Sequence, residues 1–116
     1  MGVTIHFEGQ LIGEHAYDAV GRLARDFARE KHWPVTDIPA AQRELQRVRN
    51  EQDWDYVGVT RGLQLLPHPD CEPLRLEFDE QLYIQEYTKT QFAPVDVHVE
   101  IASFLHLIQP QFATFS

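Results

Sequence analysis

His68 and Cys71 stand three residues apart in a proline-bounded turn, His68-Pro69-Asp70-Cys71-Glu72-Pro73. A cysteine attacks as its thiolate, and a thiolate needs a base or a positive charge beside it. Cys71 is flanked instead by Asp70 and Glu72. Negative neighbours raise a thiol pKa, so the turn is expected to pack an unreactive cysteine inward. The six histidines are His6, His15, His32, His68, His98 and His106. They include no pair four apart on a helix and no HExxH pattern. A metal centre would have to be gathered by the fold from distant positions, such as His68, Cys71 and His98. Neither a metal nor a cofactor is expected.

Paired carboxylates recur: Asp53 with Asp55, Asp70 with Glu72, Glu77 with Asp79 and Glu80. Hydrolysis by two carboxyls needs them held across a cleft, and a two-residue spacing makes no cleft. A solvated acidic rim is the expectation. Gly58 to Gly62 lacks the lysine of a phosphate-binding loop, and no GxSxG nucleophile turn is present. No residue is therefore assigned to catalysis. Trp54 and Tyr56, set among Glu51, Asp53 and Asp55, form the cluster most like a binding interface. Aromatic anchors inside a charged rim are common where proteins meet. Equally, Trp54 can serve to cover the edge of the core.

The charge distribution gives these residues a context. The chain of 116 residues carries a formal charge of -8. Residues 1–50 hold seven basic and seven acidic side chains, whereas residues 51–116 hold three basic and eleven acidic ones. The entire excess lies in the second half. Such a surface repels nucleic acid, whose binding rests on Lys and Arg contacts to phosphate. It attracts a basic protein surface and speeds the encounter, although acidic surfaces also serve solubility alone.

The elements that must position these residues follow from periodicity. Cys71 to Thr90 reads as two strands and is the spine of the expected core. Leu74, Leu76 and Phe78 alternate with polar residues, Asp79-Glu80 marks the turn, and Leu82, Tyr83, Ile84 and Tyr87 follow. Val3, Ile5 and Phe7 alternate in the same way near the start. From Glu14 to Lys31 the apolar positions Tyr17, Val20, Ala24, Phe27 and Ala28 fall at helical spacing. Gly21 weakens that helix unless close packing requires it. Trp33-Pro34 ends it. Residues 35–50 read either as a helix begun at Pro39 or as an edge strand displaying arginines. Glu51 to Tyr56 reads as a polar loop with an aromatic anchor, and Leu63 to Leu66 as a short strand. Pro94 opens a second helix with the stripe Val97, Ile101, Phe104, Leu105 and Ile108, stopped by Pro110. Phe112 and Phe115 keep the tail packed.

The sum is one domain over residues 1–116 of the α+β class, two helices packed on one face of a mostly antiparallel sheet of about four strands. One cysteine excludes an internal disulfide and favours a reducing compartment. No segment approaches the roughly 20 apolar residues of a membrane span, and Met1 begins no signal peptide. A cytoplasmic location is expected.

The run CEPLRLEFDEQLYIQEYTKTQF, with DWDY upstream, resembles a set of small bacterial proteins without an assigned activity, over most of the chain. The resemblance implies a stand-alone bacterial domain and no activity. The function expected from the residues is that of a non-enzymatic acidic binding protein, of the inhibitor or immunity type, engaging a basic protein surface. Asp53, Trp54, Asp55, Tyr56, Asp79 and Glu80 are its expected contact residues. The alternatives are a small enzyme or metal-binding protein using His68 and Cys71, and a homodimer formed through an exposed strand edge.

Overall fold

The computed structural model describes residues 4–49, 51–89 and 94–115. The first strand, β1, covers Thr4–Leu11 and the first helix, α1, Glu14–Lys31. Two long strands follow, β2 over Val35–Arg49 and β3 over Gln52–Leu65. Next come β4 (Leu74–Phe78), β5 (Tyr83–Lys89), the second helix α2 (Val95–Ile108), a single 3-10 turn and β6 (Phe112–Phe115). The α+β class is as expected. The strand number is not: six strands form two antiparallel three-stranded sheets, ordered β5-β1-β6 and β2-β3-β4.

Helix α1 spans the predicted residues, and its ending has a clear cause. His32 takes a left-handed φ of 61° and its N–H bonds the Arg29 carbonyl, while the Trp33 N–H bonds the Ala28 carbonyl at 2.8 Å. This is the paired closure of a Schellman motif. The accompanying apolar contact is Trp33 against Phe27, ring centroids 5.2 Å apart. Phe27 also meets Phe104 of α2. Ala16, Val20, Ala24 and Ala28 give α1 a narrow face that lies close to the core. Both helices share one core with Phe7, Leu63, Leu76, Phe78 and Ile84 of the strands.

Residues 35–50 resolve to strand through residue 49, and the expected loop at 51–56 is strand from Gln52 onward. The two segments pair continuously from Ala41↔Thr60 to Arg49↔Gln52. Local propensity favours helix here, but a ladder with a partner overrides a preference worth tenths of a kcal/mol per residue. The Cys71–Thr90 spine is also reorganised. Its two strands and turn exist, yet β4 pairs with β3 and β5 with β1. Backbone bonds join them only near their ends, Asp79 N–H to the Tyr83 carbonyl and Glu72 N–H to the Lys89 carbonyl, both 3.1 Å. The seam between the sheets therefore runs where a hairpin ladder was expected. Gly62 sets how closely β3 and β4 approach, since a Cβ there would lie 1.7 Å from the Leu76 carbonyl oxygen.

Candidate functional site

Strand pairing decides which side of the β2–β3 hairpin each side chain takes. On one side the register sets Arg43, Leu45 and Arg47 opposite Gly58, Tyr56 and Trp54. These positions are buried or half-buried. On the other side Glu44, Gln46 and Val48 stand opposite Val57, Asp55 and Asp53. All six of those are exposed. The cluster expected from residues 51–56 is thus divided by the two-residue period of a strand. Asp53 and Asp55 face solvent, and Trp54 and Tyr56 turn to the inner face.

Arg47 organises the inner face. It is 3% exposed and bonds Oδ2 of Asp79 at 2.9 Å. Its guanidinium lies over the rings of Tyr56 and Tyr83, at 5.4 and 5.0 Å from their centroids. Two aromatic faces and a carboxylate compensate the cation for lost water. Asp79 is 5% exposed, and its other oxygen accepts the backbone N–H groups of Gln81 and Tyr83. Its carboxylate is spent on the turn and on Arg47, so Asp79 is corrected from a surface contact residue to an internal one. The Tyr56 hydroxyl donates to the Val59 carbonyl and accepts from the Glu80 N–H. Gly58 makes room for it, since a Cβ there would come within 2.6 Å of that hydroxyl. Glu80 stays exposed, its carboxylate 3.4 Å from the Val59 N–H. Tyr56, Asp79 and Glu80 are brought together, but as the clasp that ties the β4–β5 turn to the hairpin.

The far end of the hairpin is held down by Gln85 of β5. Its amide donates to the Val48 carbonyl at 2.9 Å and accepts the Val48 N–H at 2.8 Å. This occupies the open edge of β2 at that residue, and the bulge around Pro39 interrupts it further up. Between hairpin and strands lies a cleft of about 760 Å³, lined in part by His6, Glu8, Leu45, Arg75, Glu77 and Glu86. The Glu77 carboxylate is buried, accepts the Thr60 hydroxyl at 2.6 Å and lies 3.5 Å from Arg75. Thr60 in turn accepts from Arg43. The Glu86 carboxyl group has no hydrogen bond or ion pair among the described residues. Burial pushes its pKa from 4.5 to about 7, with Arg75 and Arg47 pulling it down and Glu77 pushing it up. Glu8 is held below the usual carboxylate range by hydrogen bonds from Tyr83 and Gln85. Neither Glu77 nor Glu86 stood out in the sequence as a buried group. An acidic residue on a strand is expected to point to water, and only the folded-over hairpin changes that.

The His68–Cys71 turn forms as predicted, with the Cys71 N–H bonding the His68 carbonyl. Nδ1 of His68 accepts the Asp70 N–H at 3.0 Å. Cys71 is buried. Burial raises its thiol pKa, and the charges of Asp70 and Glu72 add to the rise. Among the described residues no three His, Cys, Asp or Glu side chains gather as metal ligands. Nor is any helix among them long and apolar enough to cross a membrane. No family model, curated protein or solved structure matches the chain, so its function is read from its own geometry and charge.

Proposed function

We propose that the protein is a non-enzymatic binder that engages a basic protein surface through the outer face of its β2–β3 hairpin. The register of that hairpin supports this reading above all. It sets Glu44, Asp53 and Asp55 on one exposed face, with Val57 opposite Glu44, Val48 opposite Asp53 and Asp55 between the two valines. The two valines are 51% and 66% exposed. None of the outward positions 42, 44, 46, 48, 53, 55, 57 and 59 carries a cation. Exposed valines interleaved with side chains of one sign of charge give this face both an apolar and an electrostatic component for a protein contact. Its carboxylates steer a basic partner and set the register, while burial of the valines supplies affinity. Trp54 and Tyr56, the anchors expected from sequence, hold the hairpin rigid from beneath instead of touching the partner. Rigid presentation reduces the ordering cost of association. The inhibitor or immunity role remains the form of binder that an acidic patch of this kind suits.

The test is parallel capture from a bacterial lysate at low salt, with the wild-type chain and the triple variant Glu44→Gln, Asp53→Asn, Asp55→Asn. The expected outcome is a basic protein retained by the wild type, released by moderate salt and absent from the variant. Equal retention by both would reject the proposed face. A basic partner that survives high salt unchanged would reject electrostatic steering.

A further inference from the structure

A second cavity, of about 660 Å³, opens between α1 and the β2-β3-β4 sheet. Two backbone features build it. In the middle of α1, a Cβ on Gly21 would meet nothing within 4 Å. Packing does not require glycine there, and glycine weakens a helix relative to alanine. What its missing side chain leaves is an open wall. Across from it, β2 breaks register between Ile38 and Ala41, and Ile38, Pro39 and Ala40 line the mouth.

The floor is apolar and buried, made by Leu63, Leu76 and Phe78. The rim carries Arg22, Arg25 and Arg61 against Asp18 and Asp37. Arg25 pairs with Asp37, and Arg61 pairs with Glu14 while stacking over Tyr17, 4.0 Å from its centroid. Both of those carboxylates are largely exposed, and such pairs are weak and exchange partners readily. The Arg22 guanidinium has no hydrogen bond or ion pair among the described residues. Three of the ten basic side chains of a chain with charge -8 thus converge on one apolar cavity.

We propose that this cavity binds a small amphipathic monoanion, a carboxylate on an aromatic or branched apolar body. The body lies against Ile38, Pro39 and Ala40 above that floor, and the carboxylate meets Arg22 and Arg61, taking the place of Glu14. The volume falls in the range of small-molecule sites, which are mostly apolar with a few convergent polar groups. Charge selects the class. Arg22, Arg25 and Arg61 meet Asp18, Asp37 and the Glu14 carboxylate in balance, and a monoanion that displaces Glu14 keeps that balance. A dianion would meet Asp18 and Asp37 with charge to spare. A carboxylate is also the group that Arg61 and Arg25 already bind, each through one guanidinium nitrogen, in Glu14 and Asp37.

The experiment is calorimetric titration with diphenylacetate, with its neutral amide and with diphenylmethylammonium, together with amide NMR shifts. The expected result is saturable one-to-one binding of diphenylacetate, about tenfold or more tighter than the amide. The ammonium compound binds weakest, and the shifts centre on Gly21 and Leu63. Gly21→Leu fills the wall and abolishes binding while raising Tm, because leucine is the better helix former; the higher Tm distinguishes a blocked site from a damaged fold. Arg22→Gln weakens diphenylacetate about tenfold and leaves the amide unchanged. Absence of saturable binding, equal binding of the three probes, or full binding by Gly21→Leu would each overturn the proposal.

Discussion

Glu86 should make the protein less stable as the pH rises towards neutrality, and Glu86→Gln should remove that loss. Its carboxyl lines the cleft under the hairpin with Arg75 and Glu77, and burial lifts its pKa from 4.5 to about 7. In the unfolded chain the group returns to the lower value. Below pH 4.5 both states hold the proton and the group contributes nothing. Between 4.5 and about 7 the folded state keeps a proton that the unfolded chain releases, so stability falls as pH rises. Above that window the folded state carries the full cost. At about 1.4 kcal/mol per pKa unit, the gap amounts to about 3 kcal/mol. That is a large share of the roughly 5–15 kcal/mol that holds a small domain folded. Urea unfolding at pH 5.5 and 8.5 (conditions of about one unit or more inside and outside the window) compares wild type with Glu86→Gln. The difference between the two proteins isolates Glu86 from the histidines and other carboxylates that titrate alongside it. The variant should gain about 3 kcal/mol on wild type at the higher pH and about 1.4 kcal/mol at the lower. A variant no more stable than wild type at high pH, or a gain equal at both, would refute the reasoning.

Three further outcomes follow from packing. Arg47→Ala leaves the Asp79 carboxylate buried without its cation and empties the space between Tyr56 and Tyr83. It should cost about 3–5 kcal/mol in urea unfolding, and a loss below about 1 kcal/mol would show that the pair is not internal. His32→Gly relieves a left-handed residue at the end of α1. It should stabilise the fold by about 1 kcal/mol and raise Tm by several degrees in a thermal melt; a lower Tm would place the His32 side chain among the contacts that matter. Cys71, buried and with its thiol pKa raised, should react with a thiol-specific reagent at least about a hundredfold more slowly in the native protein than in urea. Equal rates would return the thiol to consideration as a nucleophile.

Much of this architecture was legible in the chain. The helical period of Tyr17 to Ala28, with Trp33-Pro34 after it, set α1 at its observed bounds, because helical bonds are local and the apolar stripe shows which face packs. Val97 to Ile108 identified α2 in the same way, although the helix begins at Val95, with Pro94 as its N-cap and not, as expected, its first residue. Alternation identified β1, β4 and β5 as strands, and Asp70 and Glu72 beside Cys71 already argued against a reactive thiol. The acidic excess of the second half needed no structure at all.

What the sequence by itself did not determine was everything that depends on a partner distant in the chain. Residues 35–49 have no strong apolar period, and they became a strand because β3 lies beside them. That pairing then turned the expected loop at 51–56 into strand and sent Asp53 and Asp55 to one side, Trp54 and Tyr56 to the other. Asp79 and Glu80 are neighbours of like charge, yet one is buried against Arg47 and the other faces water. Glu86 reads as a surface carboxylate until the hairpin folds over it. In each case the physical reason is the same. A strand fixes only the alternation of its side chains, and the tertiary structure decides which of its two faces meets solvent.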